Sequence, residues 1–263
     1  MWIAGYGTTS ETIDYKAFIV YLGTLNKSGI SKKTIRGYIG NLKHYFDYLQ
    51  QENYRSDNPI ENLTIKGIPK TVLKNILEFE ELEDLYYSYE AENGNDLRKR
   101  NKIILGLLIY QGLKTGEIYR LELDNINLNK GRIEVLGSRI SNGRMVSLQA
   151  WQFLDIQEYL NEIRPRILHK NNRNTDQFFL NSKGKLCLKN SLKKVSDELK
   201  TYNQNYQDLN QIRSSVIVNW LKMNNLRKTQ YLAGHRYISS TERYKQDDLE
   251  GLQEMIASFH PLK

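Results

Sequence analysis

Apolar residues recur at intervals of three and four along most of this chain, which is the spacing that buries one face of an α-helix. A first stripe runs from Ile13 to Leu25 after a predicted Ser10 cap, and a second runs from Ile35 to Leu49 after a predicted Ser31 cap. Similar stripes cover 79–89, 103–110, 151–163, 192–199 and 212–232. The pattern predicts a mainly helical fold.

The segment from 126 to 148 is predicted to form a small antiparallel β-sheet instead. Three short runs at 126–128, 132–136 and 144–148 are separated by turn residues, and Ser141-Asn142-Gly143 is a strong hairpin signal. The run Phe178-Phe-Leu180 predicts one more short strand. Pro165 is predicted to end the helix that begins near Trp151, because proline breaks the helical hydrogen-bond pattern.

A linker is predicted at 66–70, Lys-Gly-Ile-Pro-Lys, where glycine and proline interrupt the periodicity and no apolar stripe crosses. It divides the 263 residues into a small helical domain, 1–68, and a larger domain, 69–263. Both lengths can bury a hydrophobic core.

The charge of the chain favours a polyanionic partner. A formal net charge of +8 and a pI near 9.3 are typical of nucleic-acid-binding proteins, although many basic proteins bind none. The lone cysteine, Cys187, suits a reducing cytoplasm, and we expect it to be a small buried side chain. The four histidines are scattered, so we expect no metal site and no cofactor. The first residues have neither a basic n-region nor a long apolar run, so we expect no signal peptide or membrane span and a cytoplasmic, nucleoid-associated protein.

The second helix carries a basic face that is a candidate DNA contact. Its cations lie mostly off the apolar stripe, and they are Lys32, Lys33, Arg36 and Lys43. A charged helix face is more often simply solvated, so both interpretations stay open.

The C-terminal third holds an arginine, a histidine and a tyrosine in a suggestive order. Arg213 is followed by Ala233-Gly234-His235, and Tyr244 lies nine residues after His235. Each residue alone is usually solvated or part of a core, but their joint spacing favours a functional group. The order resembles the C-terminal signature of the tyrosine recombinases, the phage integrase family. The stretch GISKKTIRGYIGNLKHYFDYL also resembles the family's N-terminal core-binding domain.

This resemblance implies a chemistry that needs neither metal nor nucleotide hydrolysis. Tyr244 would attack a DNA phosphodiester to give a covalent 3′-phosphotyrosine and a free 5′ hydroxyl, which conserves the bond for religation. Arg213 and His235 would donate hydrogen bonds to the phosphate oxygens.

Three positions depart from the family pattern. In YQGLKTGEIYRLELDNI the usual first arginine is replaced by Lys114, while Glu117, a supporting residue, is kept. Arg139 stands where a lysine thought to protonate the leaving oxygen is usual, and an arginine is a poor acid because its pKa exceeds about 12. Asn210 replaces a histidine three residues before Arg213, which leaves His235 as the main titratable candidate.

The resemblance therefore implies a mainly α-helical recombinase with a small antiparallel β-sheet: a SAM-like core-binding domain and a catalytic domain clamped around duplex DNA. The apolar stripe in 248–259 could pack on its own domain, but the resemblance favours its exchange between protomers to make a dimer or tetramer on DNA, with a DNA-bending accessory protein as a candidate further partner. Two alternatives remain. One is a recombinase-derived DNA-binding protein with weak or lost catalysis, and the other is a type IB topoisomerase-like activity.

Overall fold

A computed structural model of the chain describes residues 9–68, 75–91 and 94–245. The chain divides into two compact units, Met1–Thr71 and Val72–Lys263. The tail stripe predicted at 248–259 lies outside the described residues.

The first unit packs two helices, α1 (Tyr15–Lys27) and α2 (Lys32–Gln51), around a small core. Phe18 of α1 meets Phe46 of α2 edge to face, with ring centroids 5.4 Å apart. Ser31 caps α2 as predicted, but the cap of α1 is Asp14, whose Oδ1 accepts from the Ala17 N–H at 2.9 Å. The prediction of Ser10 was wrong because the chain forms a separate turn at 9–12 before α1 begins.

The second unit is built around α4 (Asp96–Tyr110), whose residues from Ile103 to Tyr110 are all buried. A helix that is apolar on all sides needs neighbours on all sides. The described helices of this unit are α3 (Phe79–Ser88), α4 (Asp96–Tyr110), α5 (Thr115–Ile118), α6 (Gln152–Glu158), α7 (Arg164–Lys170), α8 (Lys189–Tyr202), α9 (Leu209–Met223), α10 (Leu226–Ala233) and α11 (Ser239–Glu242).

The predicted antiparallel sheet is confirmed. Its strands are β1 (Ile126–Asn127), β2 (Arg132–Val135) and β3 (Arg144–Ser147), in the order β1-β2-β3. The hairpin between β2 and β3 is wider than the sequence signal predicted, because strand pairing stops at Val135 opposite Arg144. The loop 136–143 turns instead toward α10, and the Asn142 N–H donates to the Gly234 carbonyl at 3.1 Å.

Two further local predictions were wrong. Phe178–Leu180 forms no strand; Glu122 and Gln177 make an isolated bridge beside it. Pro165 does not end its helix, because the helical path continues from Gln152 to Lys170 through a π-helical turn, Tyr159–Ile163. There the Arg164 N–H donates to the carbonyl of Tyr159, five residues back. This register shift accommodates a residue that has no N–H to donate.

Cys187 is exposed, so the expectation of a buried side chain was also wrong. Within the described ranges, no helix is long and apolar enough to span a membrane.

Candidate active site

Arg213 lies inside the second unit, in the second turn of α9. Asp208 caps the N-terminus of this helix, and its Oδ1 accepts from the N–H groups of Asn210 and Gln211, both at 2.8 Å. The buried guanidinium donates to the carbonyls of Gly112 and Ala233. Burial lowers the pKa of Arg213 to about 10, so the group remains charged at neutral pH. The structure thus holds a fixed cation where α9, α10 and the turn before α5 meet.

Gly112 permits this arrangement. Its φ of +56° lies in the left-handed region, and a Cβ at this position would lie 2.7 Å from Cη2 of Trp220 on α9. Only glycine brings this turn close enough for its carbonyl to accept from Arg213.

A buried ion pair supports the adjoining α5. The Glu117 carboxylate accepts from both terminal nitrogens of Arg144, each at 2.8 Å, and from the backbone N–H of Lys114 at 2.9 Å. Burial favours a raised pKa of the Glu117 carboxyl, but the Arg144 guanidinium outweighs it and the pKa is lowered. Gly234, with φ +61°, passes so close that a Cβ there would lie 2.5 Å from Nη1 of Arg144. Arg144 therefore joins β3, α5 and the end of α10.

A cleft of about 350 Å³ opens beside these groups. Lys114, Arg120 and Arg213 line it, against the single carboxylate of Glu117 among the described lining residues. Since Glu117 is already paired with Arg144, the cleft has a surplus of positive charge suited to an anion. Burial, and next the charge of Arg213, lowers the pKa of Lys114. The other lining residues include Asn210, Ser138, Ile140 and Ser141.

His235 and Tyr244 lie together at the side of this cluster. Their rings are nearly parallel, 17° apart, with centroids separated by 5.8 Å. The Nδ1 atom of His235 lies 2.9 Å from Oγ1 of the fully buried Thr241. Burial and the neighbouring Arg213 charge lower the pKa of His235 to about 4, so its imidazole is neutral at pH 7. His235 can donate one hydrogen bond in this state but holds no dissociable cationic proton.

The structure brings together most of the predicted site residues. Lys114, Asn210 and Arg213 line the cleft, and His235 is joined to the cleft wall by a β-bridge with Ser141. Arg139 is different, because its exposed side chain does not line the cleft and its carbonyl accepts from Arg236. The β2–β3 loop contributes serine hydroxyls there in place of a cation.

The basic residues of α2 lie in the first unit. Lys32, Lys33 and Arg36 are exposed, whereas the Nζ of Lys43 donates to the carbonyl of Glu61 at 2.5 Å within the same unit. Lys43 is therefore engaged within its own unit.

The sequence did not identify five residues as part of the site: Arg144, Arg120, Ser138, Ser141 and Thr241. Arg144 had a detectable signal, because it shares the inward face of β3 with Val146. A charged residue at an inward strand position requires a buried partner. Ser138 and Ser141 had no such sequence signal, since a loop has no periodicity that indicates which side chains point inward.

Replacing Arg144 by alanine is expected to lower the free energy of unfolding by about 3–5 kcal/mol, because it leaves the Glu117 carboxylate buried and unpaired. Urea denaturation of the full chain measures this. Arg166→Ala is the matched control, since its 2.7 Å pair with Asp96 is exposed, and it should hardly change the midpoint. Equal losses in the two variants would contradict the buried-pair account.

The described part of the chain holds no group of three or more His, Cys, Asp or Glu side chains placed to bind a metal ion.

The chain is similar to known proteins over nearly its whole length. The sequence is similar to "Tyrosine recombinase XerD" of Listeria innocua serovar 6a, at 25% identity over 257 residues that cover 97% of this chain and 85% of the relative. It is also similar to "Tyrosine recombinase XerC" of Oceanobacillus iheyensis, at 26% identity, covering 95% of this chain and 81% of that one.

Solved structures share the fold. The XerH site-specific recombinase bound to palindromic difH substrate, a post-cleavage complex, matches with a TM-score of 0.74 and 22% identity over 94% of this chain and 72% of that one. A lambda integrase (75-356) dimer bound to a COC′ core site matches with a TM-score of 0.60 and 15% identity, over 89% and 80% of the two chains.

The family profile described as "Phage integrase family" matches residues 75–250, which include Lys114, Arg213, His235 and Tyr244. Since this match covers more than half of the 263 residues, the chain belongs to the phage integrase family.

Proposed function

We propose that this protein is a site-specific recombinase that cuts and rejoins duplex DNA through a 3′-phosphotyrosine at Tyr244. The observation that carries this proposal is the placement of Tyr244 and His235 beside the fixed Arg213 guanidinium, next to a cleft with surplus positive charge. A phosphodiester supplies the anion that such a cleft accepts, and a tyrosine hydroxyl supplies the nucleophile.

Arg213 stabilises the negative charge that develops on the non-bridging phosphate oxygens. Two of its five donor sites are used by the Gly112 and Ala233 carbonyls, which hold the fork in place, and the others remain for phosphate. A donor held before the reaction needs no reorganisation during it. Asn210, on the same cleft wall, adds a neutral donor.

Lys114 takes two roles in this mechanism: it neutralises phosphate charge and it protonates the leaving 5′ oxygen. Its lowered pKa supports the second role, because a less basic amine gives up its proton more readily near neutral pH. Arg139 lies outside the cleft lining, so it is not the acid in this proposal.

His235 acts as a neutral hydrogen-bond donor rather than as an acid. In this proposal the Thr241 hydroxyl donates to Nδ1, which leaves the proton of the neutral ring on Nε2, where it can reach a phosphate oxygen.

Thr241→Val is therefore expected to slow adduct formation about ten-fold or more, because the ring loses the partner that fixes its tautomer. Thr241→Ser should keep nearly the wild-type rate, since it retains the hydroxyl. The exposed Ser239, changed to alanine, is the control. The imidazole ¹⁵N shifts of His235 would report the tautomer directly, and unchanged shifts in Thr241→Val would refute this role.

The first unit, in this proposal, is the core-binding domain, with residues 1–68 presenting Lys32, Lys33 and Arg36 to the DNA backbone. Its exposed cations and the +8 net charge of the chain support this. Oligomerisation of the catalytic domain, 69–263, through the tail at 248–259 and recruitment of a DNA-bending protein belong to the same proposal.

A pool of nicked duplexes with a randomised core tests the function, because such a pool samples every target sequence at once. Cleavage beside a nick releases a short strand, so the covalent intermediate cannot religate and accumulates. We expect a protein-DNA adduct that resists denaturant and carries a recurrent core sequence.

Two other outcomes would replace the proposal. Tight binding to particular duplexes with no adduct would identify a DNA-binding protein that has lost catalysis. Relaxation of supercoiled plasmids irrespective of sequence, with no strand exchange, would identify a topoisomerase-like activity.

A further inference from the structure

The loop between β2 and β3 presents an exposed isoleucine at the cleft. Ser138 and Ser141 exchange backbone hydrogen bonds at 2.8 and 3.3 Å, so that Arg139 and Ile140 form the tip of a two-residue turn. Ile140 is 75% exposed, and it lines the same cleft as the cations described above. A large apolar side chain is thus exposed to solvent beside the position assigned to the phosphate.

This tip is firmly held. The hydroxyls of the two serines lie 2.8 Å apart, and the Asn142 N–H donates to the Gly234 carbonyl at 3.1 Å. Arg236 also donates to the carbonyl of Arg139. A side chain on a fastened turn loses little conformational entropy when it binds, so its burial against a partner is favourable.

Exposure alone would mean little, because single exposed hydrophobic residues are common on protein surfaces. Leu154 on α6 is 74% exposed and does not line the cleft. Ile140 differs in its position and in its neighbours. Arg139 precedes it in the turn, and Arg236 donates to the Arg139 carbonyl; both arginines are exposed. An exposed apolar side chain on a turn that also carries exposed cations suits a DNA groove, which has stacked bases at its floor and phosphates along its edges.

We propose that Ile140 is an apolar wedge that enters the minor groove at the cleaved step, partly unstacks two base pairs and bends the duplex there. The inference rests on the proposed function in one respect, which is that the phosphate to be cleaved occupies the cleft lined by Ile140. Arg139 then follows the groove beside the wedge, so that its side chain contacts DNA without taking part in the chemistry.

The test uses the full chain and duplexes recovered by their affinity for it, so that it does not depend on cleavage. 2-Aminopurine is placed at each step around the core in turn, and dyes at the two ends report bending by energy transfer. Wild type should raise 2-aminopurine fluorescence at one step and shorten the end-to-end distance.

Ile140→Ala should lose both signals and bind about ten-fold more weakly, because it loses the burial of three carbons but also avoids the cost of unstacking, which offsets part of that loss. Ile140→Leu should restore them, and Leu154→Ala, an equally exposed control, should match wild type. If Ile140→Ala also matches wild type in fluorescence and bend, the wedge is refuted, even where the chain forms a covalent adduct. If wild type unstacks one step through Ile140 but forms no adduct, the wedge stands and the recombinase function fails. Recovery of no bound duplex would overturn both.

Discussion

Replacing Tyr244 by phenylalanine is expected to abolish the covalent protein-DNA adduct while leaving the affinity for duplex DNA nearly unchanged. Phenylalanine keeps the ring that lies 5.8 Å from His235 but lacks the hydroxyl that attacks phosphorus. Without that nucleophile the chain has no route to a phosphotyrosine. The measurement is a denaturing gel of the nicked duplexes recovered from the randomised pool, beside a filter-binding titration of the same duplexes.

Tyr237 provides a matched control, since it lies seven residues earlier and is 68% exposed. Tyr237→Phe should form the adduct at the wild-type rate. An adduct that persists in Tyr244→Phe would place the nucleophile on another residue. A parallel loss of DNA affinity would show that the tyrosine hydroxyl serves binding instead of chemistry.

Lys114→Ala is expected to slow adduct formation by about 10²–10³ with only a modest change in DNA affinity. The charge of Lys114 matters most as negative charge builds up on the phosphate oxygens, so its loss affects the transition state more than the bound ground state. Arg120→Ala is the control within the same cleft. Because Arg120 is exposed, its removal should weaken binding slightly and leave the rate of cleavage at saturating DNA unchanged.

Lys114→Arg distinguishes charge from proton donation. If Lys114 serves only as a cation, arginine should preserve or raise the rate, because its planar fork can hold two phosphate oxygens. If Lys114 is the acid, arginine should be nearly as damaging as alanine, since it does not release a proton near neutral pH. A 5′-bridging phosphorothiolate, whose leaving group needs no proton, should then restore cleavage by Lys114→Arg.

The pH dependence follows from the same role. A general acid works in its protonated form, so the cleavage rate should fall as the pH rises through the pKa of Lys114, which lies below the ordinary value for lysine. This alkaline limb should disappear with the phosphorothiolate substrate. Wild-type cleavage by Lys114→Ala on ordinary DNA would remove this lysine from the mechanism.

The sequence alone was sufficient for most of the helices and for the three short strands. Stripes such as Ile35 to Leu49 repeat at the helical period, so local chemistry decides their conformation and tertiary contacts confirm it. The order of Arg213, His235 and Tyr244 also emerged from the sequence, because all three fall within 32 consecutive residues. Arg213 lies on α9, His235 just after α10, and Tyr244 in the 3₁₀ turn that follows α11. Short separations along the chain limit how far apart such groups can be.

Only the tertiary structure decided what surrounds those residues. Arg144 meets Glu117 across 27 residues, and the pair depends on β3 packing behind α5, which no local pattern specifies. The neutral state of His235 has the same origin, since its pKa depends on burial and on the charge of Arg213 from a different helix. The β2–β3 loop is the clearest case. The family resemblance directed attention to Arg139, whereas in the fold Ser138, Ile140 and Ser141 line the cleft. The bridge between Ser141 and His235 sets which side chains of this loop face the cleft, and no period in the chain encodes it.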